Sequence, residues 1–223
     1  MNQKPPTPMW FTLGNIRALR NTAPGWPPTP IDPGQPYKWQ TRRVLDTARP
    51  FMRRSGYDWP DREPEPMIVL RPDGESWCVS RRVGDVIEYY RIPHQPGSTV
   101  AIPEPVRVVE VCTQLGVCIQ YDSDGVTRWV KWPFRLKYAP VVNPKRLLPR
   151  CGFRELWRET RLIRGVRVER LQDISIADCI AEGAAFPPEG QVFQELWNSI
   201  NAKRGKGWAT NPWVLAYELE VTQ

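Results

Sequence analysis

The stretch that decides the fold is VRVERLQDISIADCIAEG, residues 166–183. Its first part alternates apolar and charged side chains, which is typical of a half-buried β-strand. Ser175 then stands three residues before Asp178, an arrangement that caps the first turn of a helix, and Gly183 supplies the residue at which the helix ends. The stretch therefore predicts a strand that leads directly into a short capped helix.

Glu182 breaks a local rule of this helix. It lies in the last turn, where the helix dipole presents its negative end and a carboxylate costs about 0.3 to 1 kcal/mol. Such a residue marks a candidate functional site when the fold brings a compensating Arg or Lys to it. The alternative is an exposed glutamate that bears this small cost.

Other segments complete an antiparallel sheet and its helices. Apolar spacing predicts helices over residues 13–20 and about 191–202. Alternation predicts strands, including a hairpin closed by Asp-Ser-Asp-Gly, that join one curled sheet. The strands of this sheet are predicted at residues 9–12, 98–111, 116–131, 162–171 and 213–222. We expect a single domain over residues 1–223.

The composition excludes several classes of protein. The 223 residues carry 31 Lys and Arg against 24 Asp and Glu, a formal net charge of +7. No apolar run approaches the roughly 18 residues that span a bilayer, and no secretory leader is readable. We therefore expect a cytoplasmic protein with no membrane partner.

Cysteine and histidine usage argues against metal chemistry. The five cysteines form no Cys-x-x-Cys pair and His94 is the single histidine, so we predict no metal, no cofactor and no disulfide framework. Any Ser-His-Asp or Cys-His site would have to use His94. It lies in the Pro-rich segment RIPHQPG, and we expect it to face solvent.

Proline is unusually frequent near the N-terminus. Of 25 prolines, 14 precede residue 73, and PGWPPTPIDPGQP at residues 24–36 predicts a long extended loop. One interpretation is a segment that docks in the aromatic groove of a partner protein. The other is an insertion over residues 21–37 that lies on the protein's own surface, held by Trp26.

Basic residues are concentrated in two tracks. Residues 38–54 carry six basic side chains against one acidic, and residues 128–170 carry 13 against three. Arginine accounts for 24 of the 31 basic residues, and its planar fork suits phosphates and base edges. The pattern favours a nucleic acid or nucleotide partner. The alternative is a solvated surface whose arginines form salt bridges.

Taken in order, these segments resemble the ASCH family, in particular its bacteriophage and prophage members. The resemblance rests on Lys38-Trp39-Gln40-Thr41-Arg42-Arg43, QPGSTVAIPEP, the stretch 166–183, FQELWNSIN and the terminal NPWVLAYELEV. It implies an α+β fold, a PUA-like curled antiparallel β-barrel with flanking helices and a cleft beside the first helix. The Pro-rich loop would be an insertion in that fold.

The sequence departs from the family's pattern at several positions. Pro36-Tyr37 stands where a Gly-Arg pair usually precedes the motif lysine, Trp39 replaces a threonine, and Ser98 replaces an aspartate. The resemblance is strongest over VRVERLQDIS, AEG and QTRR.

The resemblance also implies site residues. Small bacterial members hydrolyse the acyl amide of acetylcytidine with a Lys, a Thr and a distant Glu, which correspond here to Lys38, Thr41 and Glu182. A threonine hydroxyl needs a base, and a lysine serves as one only when its pKa is lowered. A paired Glu alone would raise that pKa, so nearby arginines would have to counter it. The predicted binding residues are Trp39, Gln40, Arg42, Arg43, Arg150, Arg167 and Arg170.

Three functions follow from these observations. The leading hypothesis is a phage-encoded protein that binds RNA or DNA in a basic cleft. The second is an amidohydrolase that removes an acyl group from a modified cytosine nucleoside through Lys38, Thr41 and Glu182. The third is an interaction factor that binds a protein partner through the Pro-rich loop.

Overall fold

A computed structural model of the chain describes residues 7–9, 11, 13–33, 35–45, 52–55, 66–70, 76–112, 116–131, 143–147, 156–184 and 189–222. These residues form mostly antiparallel β-structure with a curled sheet and a few helices, in agreement with the predicted α+β class. Within them, no helix is long and apolar enough to cross a membrane.

The main sheet has five strands in the order β1-β7-β12-β13-β2. Its strands are β1 (Thr7–Pro8), β2 (Gln40–Val44), β7 (Thr99–Ala101), β12 (Thr160–Arg170) and β13 (Trp213–Val221). β1 pairs with β7 in parallel, and the other neighbours are antiparallel. The long pairing of β12 with β13 forms the centre of this sheet, as the alternation in both segments predicts.

Two four-stranded antiparallel sheets flank the main sheet in the described part of the chain. One has the order β3-β6-β5-β4, with β3 (Met52–Ser55), β4 (Met67–Leu70), β5 (Trp77–Val83) and β6 (Val86–Arg91). The other has the order β10-β9-β8-β11, with β8 (Val106–Cys112), β9 (Gly116–Tyr121), β10 (Thr127–Val130) and β11 (Asn143–Leu147). The β9–β10 hairpin closes through the predicted turn.

The expectation of one sheet is therefore wrong. The segment 98–111 divides into β7 of the main sheet and β8 of another sheet. Pro103 and Pro105 lie between the two strands, and because proline has no N–H to give to a ladder, they end the pairing there. The N-terminal strand is also displaced, to Thr7–Pro8 instead of residues 9–12.

Three helices lie in the described residues: α1 (Leu13–Arg20), α2 (Ile176–Ala181) and α3 (Glu189–Asn201). All three were predicted. The Ser175 hydroxyl accepts a hydrogen bond from the backbone N–H of Asp178, which is the predicted cap of α2. Gly183 ends the helix with φ of +83°, a conformation that favours glycine.

Separate apolar cores hold these elements together. The largest lies between α1, the main sheet and the β5–β6 hairpin, and includes Ile16, Tyr90 and Leu215. A second core fixes α2 and α3 to the main sheet through Phe193 and Trp197. This second core places α3 beside β2, where the candidate site lies.

Residues 21–33 and 35–39 contain no helix or extended strand, apart from an isolated bridge between Thr22 and Pro30. The Trp26 ring contacts the Trp39 ring edge-on, with 5.2 Å between their centroids. The Arg164 guanidinium lies 5.1 Å from the Trp26 ring centroid. These contacts agree with the interpretation in which Trp26 holds this segment on the protein's own surface.

Candidate active site

Lys38 is fixed at the point where the Pro-rich segment meets the end of α1. Its backbone N–H donates to Ala18 O at 3.0 Å, and the Thr22 hydroxyl donates to Lys38 O at 2.9 Å. The Lys38 side chain is only 1% exposed. A buried lysine needs partners for its ammonium group, because desolvation of an unpaired charge is costly.

Glu182 reaches Lys38 because the turn after α2 packs very closely against Lys38 and the end of α1. A Cβ at Gly183 would lie 3.3 Å from the Ala18 Cβ and 3.4 Å from the Lys38 Cβ. The Trp39 backbone N–H also donates to Ala181 O at 3.0 Å. Glycine therefore permits both the left-handed turn and the close approach of two distant segments.

The Lys38 ammonium donates to Glu182 Oε2 at 2.5 Å and to Glu182 O at 2.7 Å. Arg42 Nη1 donates to Glu182 Oε1 at 3.1 Å. The predicted proximity of Lys38 to Glu182 is confirmed, and so is the compensation of a carboxylate at a helix C-terminus by cations. The exposed-glutamate alternative is wrong, since Glu182 is 5% exposed.

Burial lowers the pKa of Lys38 below its ordinary value of 10.5. The Glu182 carboxylate acts in the opposite direction, while the charges of Arg43 and Arg42 lower the pKa further. Burial therefore outweighs the carboxylate, and the two arginines add to its effect on the pKa. Proton loss from Lys38 is easier than from a solvated lysine.

Arg42 and Arg167 are held by carboxylates of the same chain. Arg42, whose side chain is 0% exposed, contacts Glu169 at 2.6 Å and Asp178 at 3.2 Å in addition to Glu182. Arg167 contacts Glu169 and Asp178, both at 2.8 Å. Gln40 Oε1 accepts from Arg167 Nη2 at 3.2 Å. A substrate role for these side chains stays a prediction, but their observed partners are internal.

A cleft of about 440 Å³ lies between α1, β2 and α3. Thr41 and Glu182 both line it, so the two predicted residues meet at one cavity, with Lys38 buried behind Glu182. Aromatic, aliphatic and polar side chains form the remaining walls. Among these are Phe11, Asn15, Arg43, Phe193, Trp197, Asn201 and Arg204.

Arg43 lines the cleft beside Phe11, with its guanidinium 5.0 Å from the Phe11 ring centroid. Burial lowers the pKa of Arg43, and the Glu182 carboxylate acts in the opposite direction. Behind it, His94 packs edge-on against Tyr217, with 5.8 Å between ring centroids. The expectation that His94 faces solvent is wrong. Burial, with Arg43 and Arg91, lowers the pKa of His94 to about 4.

The remaining predicted binding residues do not gather at the cleft. Trp39 packs against Trp26. Arg170 lies over the Trp213 ring at 4.2 Å and donates to Asn211 O at 3.0 Å, at the end of the central strand pair. Arg150 lies outside the described residues.

The basic track at residues 128–170 is partly neutralised by ion pairs. Arg158 pairs with Glu104 at 2.8 Å, and Arg164 pairs with Glu220 at 2.8 Å. Arg161 pairs with Glu159. These contacts, with those of Arg167, match the salt-bridged alternative for this part of the track.

The α3 wall of the cleft was missed by sequence reasoning. Phe193 and Trp197 were predicted as core, and both are buried, but one edge of each also faces the cleft. The turn KRGKG at residues 203–207 was overlooked although it holds three cations in four positions. That local charge density was the available signal.

Among the described residues, no group of three or more His, Cys, Asp or Glu side chains is arranged to hold a metal ion. No family model, curated protein or solved structure matches the chain.

Proposed function

We propose that the chain is an amidohydrolase that removes an acyl group from a modified nucleoside bound in the cleft. The observation that carries this proposal is the buried Lys38–Glu182 pair, whose lysine has a lowered pKa and whose glutamate lines the same cavity as Thr41. Membership of the ASCH family and a PUA-like barrel stay predictions that rest on the sequence resemblance.

The proposed chemistry assigns one role to each residue. Lys38, after losing its proton, accepts the proton of the Thr41 hydroxyl, and the Thr41 oxygen bonds to the acyl carbon. The carbon–nitrogen bond then breaks, and the amine of the base leaves with a proton returned by Lys38. Water hydrolyses the resulting ester to a carboxylic acid and regenerates Thr41. Glu182 holds the Lys38 side chain in position throughout.

The size and lining of the cleft support a ligand of nucleoside size. Sites for small molecules usually measure about 300 to 1,000 Å³ and combine apolar walls with a few polar groups. At about 440 Å³, with Phe11 and Trp197 beside Asn15 and Asn201, the cleft has that character. Aromatic walls suit the flat face of a base.

The contacts give less support to binding of a long nucleic acid. Polynucleotide binding requires arginines that neutralise phosphates, and such contacts make the affinity strongly salt-dependent. Arg42, Arg158, Arg164 and Arg167 instead pair with carboxylates of this chain. The described part of the Pro-rich segment gives less support to a protein partner, because the Trp26 ring, although 41% exposed, contacts Trp39 of the same chain.

A panel of acylated nucleosides tests the proposal. The purified protein is incubated with N4-acetylcytidine, its deoxy form and longer acyl analogues, and the free nucleoside is measured by chromatography. We expect release from at least one substrate by the wild type and none by Thr41→Val, a nearly isosteric change. Equal release by Thr41→Val, or no release from any substrate, would overturn the proposal.

A further inference from the structure

A basic turn follows α3, and one of its residues, Arg204, lines the cleft. Lys203, Arg204 and Lys206 are all exposed and follow directly after α3. No carboxylate of the described residues forms an ion pair with them. The charge at a helix C-terminus favours cations, which accounts for basic residues there in general. It does not account for the position of this turn beside a cavity.

A side chain of the cleft wall holds the backbone of the turn in place. The Trp197 indole N–H donates to Lys206 O at 2.8 Å, and Trp197 also lines the cleft. The turn closes through hydrogen bonds from the Gly205 N–H to Ala202 O at 2.9 Å and from the Lys206 N–H to Asn201 O at 3.2 Å. The backbone of the turn is therefore positioned before any ligand arrives, which reduces the entropy cost of binding.

Arg204 connects the turn to the cavity, because it lines the cleft together with Asn201. On the opposite side, Arg43 contributes a second guanidinium to the same cleft. Glu182, the carboxylate in the described lining, already contacts Lys38 and Arg42. The mouth of the cleft thus presents cationic groups to a ligand, while the anionic group inside is compensated.

We infer that the ligand carries a phosphate group, which the turn formed by Lys203, Arg204 and Lys206 binds while the base occupies the cleft. This inference rests on the proposed function, and it narrows the substrate class to a phosphorylated nucleoside. The phosphate is that of a mononucleotide or of a short strand. A planar guanidinium and two flexible ammonium groups match the charge and geometry of phosphate oxygens.

Affinity measurements with matched probes test this inference. The probes are N4-acetylcytidine, its 5′-monophosphate and a short RNA that contains the same base, and binding is followed by calorimetry. We expect the monophosphate to bind about tenfold more tightly than the nucleoside, since a charge-assisted hydrogen bond contributes on that order. This gain in affinity should decrease as the salt concentration increases. A further gain with the RNA would identify a strand as the source of the phosphate.

Arg204→Glu should remove this gain, so that the variant binds the monophosphate no more tightly than it binds the nucleoside. The matched control is Arg82→Glu, which makes the same charge change on the β5–β6 hairpin, away from the described cleft lining. The control should retain the gain. Because Arg204 is exposed, Arg204→Glu should fold normally, and Arg204→Ala gives a milder second test.

The outcomes separate this inference from the proposed function. Equal affinity for nucleoside and monophosphate, or a gain that survives in Arg204→Glu, would overturn the inference and leave the amidohydrolase proposal standing. A phosphate-dependent gain without release of any acyl group would support the inference and contradict hydrolysis. Failure of all three probes to bind would overturn both.

Discussion

Two clusters of charged side chains in the described residues, one buried and one partly exposed, differ in their position and in their cations. The cleft cluster consists of Lys38, Arg42 and Glu182 and borders a cavity. The loop cluster consists of Arg20, Glu104, Asp124 and Arg158 and joins α1 to the turn between β9 and β10. Its cations are both arginines, whereas the cleft cluster includes a lysine.

The loop cluster stays charged. Although burial lowers the pKa of Arg158, its bonds to Glu104 and Asp124 outweigh burial and raise that pKa above its ordinary value. Burial raises the pKa of Asp124, but hydrogen bonds from Arg158 and from Arg20 outweigh it and hold the pKa well below 3.8. The lysine in the cleft cluster, by contrast, has a lowered pKa. Buried charge by itself does not mark an active site; a group that exchanges a proton beside a cavity does.

The largest expected effect is on turnover. Lys38→Met should reduce hydrolysis of N4-acetylcytidine by about a hundredfold to ten-thousandfold, the usual contribution of a positioned acid or base. The measurement is the rate of cytidine release at saturating substrate, with near-ultraviolet circular dichroism to show that the variant is folded. A folded Lys38→Met variant with the wild-type rate would show that Lys38 is not needed for hydrolysis and that the two clusters do not differ in this function.

Turnover of Thr41 variants should depend on whether the new side chain keeps the hydroxyl group. Thr41→Ser keeps the hydroxyl and should retain measurable turnover, while Thr41→Val keeps the shape and should lose nearly all of it. Single-turnover kinetics with mass spectrometry should also detect an acylated wild-type protein. If the valine variant is as active as the serine variant, Thr41 is not the nucleophile.

Glu104→Gln should affect stability and not turnover. The Glu104 side chain is 1% exposed and pairs with Arg158, and removal of one partner from a buried ion pair costs about 3 kcal/mol or more. Urea unfolding should show this loss of free energy, while turnover of the folded variant stays at the wild-type level. A large loss of turnover in folded Glu104→Gln would show that the two clusters are not separate in function.

The pH dependence of stability should distinguish the clusters at alkaline pH. Because the pKa of Lys38 is lowered in the folded state, the unfolded chain binds more protons between that pKa and 10.5. Stability should therefore rise with pH in this window, and Lys38→Met should lack this rise. The measurement is the difference in unfolding free energy between wild type and variant from neutral pH to 10.5. An identical slope in both proteins would contradict the lowered pKa.

A smaller effect is expected at acid pH in the loop cluster. The pKa of Asp124 is depressed, so its contribution is present above 3.8 and is lost as pH falls further. Asp124→Asn should be less stable than the wild type at neutral pH, and the gap should close on acidification. Thermal melts at several pH values provide the check, and a constant gap would count against a charged role for Asp124.

Local features of the fold could be predicted from sequence, whereas the assembly of its sheets could not. Ser175 and Gly183 act within one turn of α2, so their types suffice to place the helix ends. The hairpin of β5 and β6 was missed, although Gly84-Asp85 between two valines is a typical two-residue turn. The division of segment 98–111 between two sheets depends on long-range pairing that alternation does not specify.

The candidate site likewise depends on long-range contacts that local sequence patterns do not predict. Lys38 and Glu182 lie 144 positions apart, and only the resemblance to a family motif placed them together before the structure did. The charge count of the basic track could not show that its arginines pair with carboxylates, because pairing depends on which strands are neighbours. Arg167, for example, contacts Asp178 of α2 and Glu218 of β13.

The central claim is that the cleft cluster performs chemistry and the loop cluster maintains structure. The most direct test compares cytidine release from N4-acetylcytidine by wild type, Lys38→Met and Glu104→Gln, each measured at a temperature at which it is folded. We expect release by the wild type and Glu104→Gln and almost none by Lys38→Met. No release by the folded wild type, or equal release by all three proteins, would contradict it.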